Sequence, residues 1–261
     1  MLSRVSQVLR TPVSRVSTRA LHRSAPACFR IGDVAPDFKQ ESTAGPIEFH
    51  KWIGGKWALL VSHPADFTPV CTTELSELQK VVPELEKRGV KAIGLSCDRL
   101  KKHEKWVGDI LEYGKLDKIS YPIIADADRK VAKQYEMLDD GLKDEEGLPL
   151  TVRSVFLVDS VCWEVGHFLQ NKKIRLMMTY PASTGRDWKE VIRCIDSIQL
   201  AEKHPVGNGR CVMMLGIATP HGWKVGDKVV VSPKLSTEEA KKRFANVEVK
   251  FPYLRIIPQP K

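Results

Sequence analysis

The sequence predicts an α/β protein in which a mixed sheet is covered by helices. Two apolar runs, 57–61 and 90–96, have the length and polar boundaries of buried strands. Leu75, Leu78, Val81, Val82 and Leu85 recur at three- and four-residue spacing, the apolar stripe of a helix packed on a sheet. The order of such signals, β-α-β-α-β-α-β-β-α, interleaves strands and helices as layered domains do.

In chain order, the first thirty residues hold Arg4, Arg10, Arg15, Arg19, Arg23 and Arg30, five serines, and no acidic residue before Asp33. That is the composition of a mitochondrial transit peptide. Val5, Val8, Leu9, Val13 and Val16 lie between the arginines, and no apolar run is long enough for a secretory core or a membrane span. We expect residues 1–28 to be removed, and the protein to work in the mitochondrial matrix. Without the five arginines that lie in that stretch, 41 basic residues fall to 36 against 32 acidic ones, so a formal charge of +9 becomes +4. The basicity is mostly an address. No clustered basic stripe or module remains to bind nucleic acid; Lys101 with Lys102, Lys172 with Lys173, and Lys241 and Lys242 with Arg243 read as solvated faces.

The remaining ~230 residues fit one large or two smaller domains, and a hydrophobic fraction of 43 % supplies a core. Residues 31–38 read as a turn-rich lead-in, 47–49 as a short strand, and 57–61 as a buried strand running into the Cys71 helix. A second buried strand follows at 90–96. Residues 100–113 are helical, with Trp106, Ile110 and Leu111 on the apolar side; 123–125 is a short strand and 128–135 a helix. The run 153–159 is the next strand, 174–178 its antiparallel partner, and 187–200 a long amphipathic helix. Strand 229–231 and a proline-bearing tail belong to a smaller C-terminal region, so the domain limits are 30–200 and 201–261.

The segment HPADFTPVCTTEL, residues 63–75, concentrates the chemistry. Pro64 and Pro69 fix their own φ and push His63 and Thr68 toward extended backbone, which stiffens the turn and puts Cys71 in the first turn of a helix. Only a thiolate is nucleophilic, and a free cysteine with a pKa of ~8.5 is mostly protonated at neutral pH. A helix N-terminus offers an anion roughly 0.3–1 kcal/mol, less than the ~1.36 kcal/mol of one pKa unit. A cation is therefore needed nearby.

This segment, with YPASTGR at 180–186 and the tail YLRIIPQP at 253–260, resembles the peroxiredoxins, in their one-cysteine (Prx6-type) branch, from about Ile31 to the C-terminus. The resemblance implies a thioredoxin-like fold with a smaller C-terminal peroxiredoxin domain that helps cover the active site and contributes to a homodimer. It implies a thiol-dependent peroxidase that reduces hydrogen peroxide and organic hydroperoxides by attack of Cys71. Arg153, in the matching strand TVRSVF, would be the missing cation, while Thr68 Oγ1 and the Cys71 N–H fix the substrate and Pro64 keeps water off. His63 would tune the pocket. Arg186, at the head of the long helix, fits a supporting role, a cap or an exposed position equally well. No cofactor or metal is implied; the reductant would be an outside thiol, glutathione with glutaredoxin, or thioredoxin. A peroxide sensor or redox-regulated chaperone is the alternative.

The other cysteines bear on recycling. There is no Cys-x-x-Cys and no zinc-site spacing, and the C-terminal Val-Cys-Pro of two-cysteine peroxiredoxins is missing. Cys28 would leave with the transit peptide, and Cys97 and Cys194 read as non-catalytic, in a buried strand end and among apolar helix residues. Three features depart from the family's pattern. Lys56, in GGKWA at 54–58, stands where some Prx6-type proteins carry a lipase serine, although His50 remains. Residues 161–170 and 205–216, with Cys162 and Cys211, are additional. Trp163, Phe168 and Met213 to Leu215 are odd for solvated loops, and we read one or both segments as non-coding sequence retained in frame. Transcripts and peptides spanning them in frame would disprove it.

Overall fold

The computed structural model describes residues 30–160, 162–164, 167–169, 172–206 and 214–261. The expected transit peptide, Cys28, Cys211 and the side chain of Cys162 lie outside what is described. A short antiparallel pair, β1 (Lys39–Gln40) and β2 (Ile47–Glu48), leads into α1 (Phe49–Ile53). Phe49, expected to end a strand, begins this helix instead, and its ring stacks on Phe38 with centroids 4.6 Å apart. Then come β3 (Trp57–Ser62), α2 (Pro69–Lys87), β4 (Val90–Ser96), α3 (Leu100–Gly114), β5 (Ile123–Ala125) and α4 (Lys130–Gln134). A hairpin of β6 (Leu138–Lys143) and β7 (Pro149–Thr151) precedes β8 (Arg153–Val158), and a small pair, β9 (Cys162–Glu164) and β10 (His167–Leu169), separates β8 from β11 (Ile174–Tyr180). The chain continues through α5 (Trp188–Lys203), the pair β12 (Pro205–Val206) and β13 (Met214–Leu215), β14 (Ile217–Ala218), β15 (Val229–Val231), α6 (Thr237–Arg243), β16 (Glu248–Phe251) and β17 (Leu254–Ile257).

The central sheet has the order β11-β8-β3-β4-β5. Strands β3, β4 and β5 run parallel, whereas β8 is antiparallel to both of its neighbours. This is the thioredoxin-like mixed sheet that the resemblance implied. Alternation along the strands divides the core in two, because successive side chains point to opposite faces. Leu59 and Val61 join Val155 and Leu157 beneath α2, α3 and α5; Ala58 and Leu60 join Phe156 and Val158 on the other face, with Phe49, Val131 and Tyr135. Strands buried on both faces read as near-continuous apolar runs, which is why 57–61, and 90–96 despite Lys91, were legible.

The structure extends several predicted elements. Strand β11 reaches Tyr180, and α5, capped by the Asp187 side chain, which accepts from the Lys189 N–H, reaches Lys203. Leu200 at that helix end packs with Trp223, Val229, Val231, Leu235 and Ile257, so α5 reaches into the C-terminal cluster. There β14, β15, β17 and β16 form a four-stranded antiparallel sheet, and α6 begins with a capping box between Ser236 and Glu239. Lys172 is not solvated as expected. It is buried with φ +41°, and its Nζ donates to the Gly54 carbonyl.

Both additional segments leave through closed necks. Val158 still pairs with Ile174, the Asp159 N–H donates to the Lys173 carbonyl at 2.9 Å, and the Lys173 N–H donates to Asp159 Oδ1 at 2.7 Å. At the second segment, the Gly216 N–H donates to the His204 carbonyl at 2.8 Å. The flanking strand register does not depend on what lies between.

Leu78 on α2 has no exposed surface and packs among Leu75, Val82, Trp106 and Ile110, whereas Val81 is half-buried. Leu78→Ala should cost ~2–5 kcal/mol in urea unfolding, and Val81→Ala clearly less. Equal losses would refute this placement of the stripe.

Candidate active site

The turn between β3 and α2 is built as its prolines require. Thr68 is extended, with φ −114° and ψ 144°, Pro69 opens the helix, and Cys71 is its third residue. Pro64 is buried behind it. Phe67 takes a left-handed φ of +58°, a conformation a bulky residue adopts at a cost of roughly 1–2 kcal/mol. The neighbouring Asp66 holds that bend, its N–H donating to Asp98 Oδ2 at 2.7 Å. The Thr68 hydroxyl donates to the Ala65 carbonyl at 2.8 Å, which leaves its oxygen lone pairs able to accept. Thr72 ties the first helical turn to the Thr68 carbonyl through its N–H and hydroxyl, at 3.0 and 2.9 Å.

Cys71 is 0 % exposed. Arg153, the first residue of β8, brings Nη1 to 3.2 Å from Cys71 Sγ, and Nε and Nη2 donate to the Ala182 carbonyl at 3.0 and 2.7 Å. The same Nη1 donates to Glu74 Oε2 at 2.6 Å. Glu74 lies one helical turn beyond Cys71, and its carboxylate also accepts from the Arg186 backbone N–H at 2.6 Å, Arg186 Nε at 3.0 Å and Arg186 Nη2 at 3.0 Å. Arg186 Nη1 donates to the carbonyls of Ser62 and Ser154 at 2.8 and 3.0 Å, so it reaches across β3 and β8. Of the readings left open for Arg186, exposure and capping are excluded: it is buried, and Asp187 rather than Arg186 caps α5.

His63 closes β3 and is completely buried. Its Nε2 is 2.8 Å from Asp66 Oδ1, and the other carboxylate oxygen, Oδ2, is 2.6 Å from Nδ1 of His103 on α3. Among the described residues these three are the one set of potential ligand atoms within 4.8 Å of one another. The carboxylate lies between the rings and is hydrogen-bonded to each, which makes a chain rather than an open cage. Burial works to raise the Asp66 carboxyl, but the hydrogen bonds from His103 and His63 outweigh it and hold it well below the usual range. Burial pulls His63 downward despite Asp66.

The remaining thiols have a different environment. Burial, reinforced by the Asp126 carboxylate, pushes Cys97 up to about 12. Burial and Glu190 push Cys194 up to about 11; Cys194 is half-buried and bonds Glu190 Oε1 at 3.3 Å, not packed only among apolar residues as expected. Both remain thiols at physiological pH. Lys56 is exposed, and His50 Nε2 is spent on the Ala35 carbonyl at 2.8 Å. Beside the Cys71 turn lies an open cleft of about 560 Å³, lined by Phe67, Thr68, Pro69, Thr72, Asp109 and Tyr113 among others.

Sequence reasoning missed Glu74, Asp66 and His103. Each carried a signal. Glu74 sits between Cys71 and Leu78 on the buried stripe, and His103 precedes Trp106 and Ile110 at three and seven residues on the apolar face of α3. A polar residue on an apolar stripe is buried and paired.

A buried thiol at a helix N-terminus, faced by a guanidinium on a thioredoxin-like sheet, defines a thiol-based redox enzyme. The chain matches the AhpC/TSA family over residues 31–162, ending where the first additional segment begins, and the C-terminal domain of 1-Cys peroxiredoxin over residues 211–246. It is 43 % identical over 228 residues to the mitochondrial peroxiredoxin PRX1 of Saccharomyces cerevisiae, covering 87 % of this chain and 79 % of the relative. A crystal structure of a cysteine-to-serine mutant of peroxiredoxin 6 from Arenicola marina superposes with a TM-score of 0.79 at 40 % identity, covering 89 % of this chain and 99 % of that one. The yeast mitochondrial 1-Cys peroxiredoxin, solved to explain its thiol resolution through the glutathione and thioredoxin systems, superposes at 0.75 and 41 % identity, covering 88 % and 99 %. The chain belongs to the 1-Cys (Prx6-type) peroxiredoxins and is a thiol-dependent peroxidase; the chemistry runs on the protein's own thiol without a prosthetic group.

Glu74 joins two buried guanidiniums, so Glu74→Gln leaves positive charge uncompensated. Removing one partner of a buried pair costs ~3–5 kcal/mol. Chemical denaturation should register a loss of that size, together with a fall in peroxidase rate that Glu77→Gln, on the exposed side of α2, does not produce. Equal stability of the two variants would overturn the bridging role.

Proposed function

We propose that Cys71 is the peroxidatic nucleophile, with Arg153, Thr68 and Pro64 completing the catalytic set and His63 and Arg186 supporting it. The observation that carries this is the 3.2 Å approach of Arg153 Nη1 to Cys71 Sγ in a fully buried site. The thiolate attacks the terminal peroxide oxygen. An S–O bond forms as the O–O bond breaks, the leaving oxygen takes up a proton, and Cys71 becomes a sulfenic acid. Arg153 stays charged throughout and, as a planar fork, spans the sulfur and the oxygen on which charge develops. The Cys71 N–H, at the open end of α2, and Thr68 Oγ1 orient the peroxide. With Cys97 and Cys194 held as protonated thiols, the reading favours an external resolving thiol: glutathione with glutaredoxin, or thioredoxin.

The finer assignments rest on the sequence. The arginine-rich residues 1–28 and the likeness to a mitochondrial relative support a mitochondrial matrix location for a protein that begins near residue 30. No helix among the described residues is long and apolar enough to cross a membrane. A homodimer is supported by β11, a seven-residue edge strand with Met177 and Met178 half-buried, whose outer side, beyond the bonds of Ile174 to Gly32 and Asp33, pairs with no strand among the described residues.

Cys71→Ser should abolish peroxide reduction, while Cys97→Ser and Cys194→Ser keep most of it. Arg153→Lys should lose at least two orders of magnitude in kcat/KM, because a point charge cannot replace the fork. With peroxide and glutathione, intact-mass analysis should find one glutathione on Cys71; with peroxide alone, progressive over-oxidation of the same residue. A stoichiometric Cys71–Cys97 or intersubunit disulfide after one equivalent of peroxide would replace external resolution by self-resolution.

A further inference from the structure

The chain His103–Asp66–His63 is more specific than a set of buried polar groups needs to be. Both ring nitrogens of His103 face acceptors: Nδ1 is 2.6 Å from Asp66 Oδ2, and Nε2 is 3.1 Å from the Ile124 carbonyl on β5. A nitrogen facing an acceptor must carry hydrogen, and an imidazole with hydrogen on both nitrogens is an imidazolium. His103 is therefore the cation that neutralises the Asp66 carboxylate. His63 meets the same carboxylate with Nε2, which must then be the N–H, whereas its Nδ1 is buried with no hydrogen-bond partner among the described residues.

We propose that Asp66 and His103 are positioning residues for the peroxidase: the ion pair they form holds His63 uncharged, with hydrogen on Nε2 and a bare lone pair on Nδ1. His63 is held in every other respect too. Its N–H donates to the Leu95 carbonyl at 3.0 Å, its carbonyl accepts from the Thr151 hydroxyl at 2.7 Å, and its ring lies 5.0 Å from that of Trp106. Trp106 in turn donates from Nε1 to the Thr72 hydroxyl, one residue from Cys71. A neutral ring leaves Arg153 as the cation at the turn, whereas a charged imidazole would set a second one beside it.

The other charged groups facing the chain are few among the described residues. Asp98, after β4, bonds the Asp66 N–H and is itself held by Lys102 Nζ on α3 at 2.5 Å. Its negative charge favours protonation of His63 while the positive charge of His103 opposes it, and burial sets the balance toward the neutral ring. Removing the charge of His103 while keeping a donor for Asp66 should let His63 take up a proton more readily.

This inference rests on the peroxidase reading for its consequence but not for its test. In full-length wild-type protein with nitrogen-15 in its histidines, NMR at pH 7 should show both nitrogens of His103 protonated, Nε2 of His63 protonated and Nδ1 of His63 bare. A neutral His103, or a His63 that is charged or in the other tautomer, overturns the proposal whether or not the protein reduces peroxide. In His103→Gln, the His63 signals should titrate at a higher pH than in the wild type, and the ratio of variant to wild-type kcat/KM for hydrogen peroxide should fall at least fivefold from pH 8.5 to pH 6. The ratio removes any pH dependence that the two proteins share. A folded variant whose ratio is independent of pH, with His63 signals unchanged, shows a merely structural pair and refutes the proposal. If the variant does not fold, the wild-type spectrum alone decides.

Discussion

The Glu74 carboxylate between two buried guanidiniums is the interaction on which the site depends. Its four hydrogen bonds join the helix that carries the thiol, the strand that carries Arg153, and the head of α5. Burying three charged groups carries a desolvation penalty that Coulomb attraction alone recovers only with good geometry. Here the geometry is supplied by backbone carbonyls: Ala182 holds Arg153, and Ser62 and Ser154 hold Arg186. The result is a guanidinium that cannot swing away from Cys71, because three of its other four N–H groups are held by Glu74 and the Ala182 carbonyl.

Much of this was legible in the sequence, for identifiable physical reasons. Strands β3, β4 and β8 are buried on both faces and so appear as largely apolar runs, broken by Lys91 in β4 and preceded by Arg153 and Ser154 in β8, and the α2 stripe follows the period of a helix on a sheet. The prolines at 64 and 69 fixed the turn locally, before any long-range contact was considered. What stayed hidden depends on partners distant in the chain. Glu74 and Arg186 are 112 residues apart, and neither composition nor period tells which charge neutralises which. The hairpin of β6 and β7 was equally obscure, since Leu138 to Lys143 is largely polar and is paired on the surface rather than in the core. Lys172 looked like one of two surface lysines until the Gly54 carbonyl gave its ammonium a buried acceptor.

The two faces of the active turn are held by different physics. Toward β8 and α5 the constraint is ionic, centred on Glu74; toward α3 it is the histidine–carboxylate chain and the Trp106 indole. Between them the left-handed Phe67 lets the chain reverse within a few residues. Such strain persists because both sides over-determine the backbone.

The complete burial of Cys71 has a consequence for traffic through the site. A molecule the size of a peroxide needs a far smaller displacement to reach the sulfur than a protein does. A protein reductant must wait for the first turn of α2 to come undone, and the bonds from Thr72 to the Thr68 carbonyl are among those that would have to break. The fold therefore acts as a sieve in time as well as in size: oxidation proceeds at the pace of diffusion and chemistry, while repair by a large partner proceeds at the pace of local fraying.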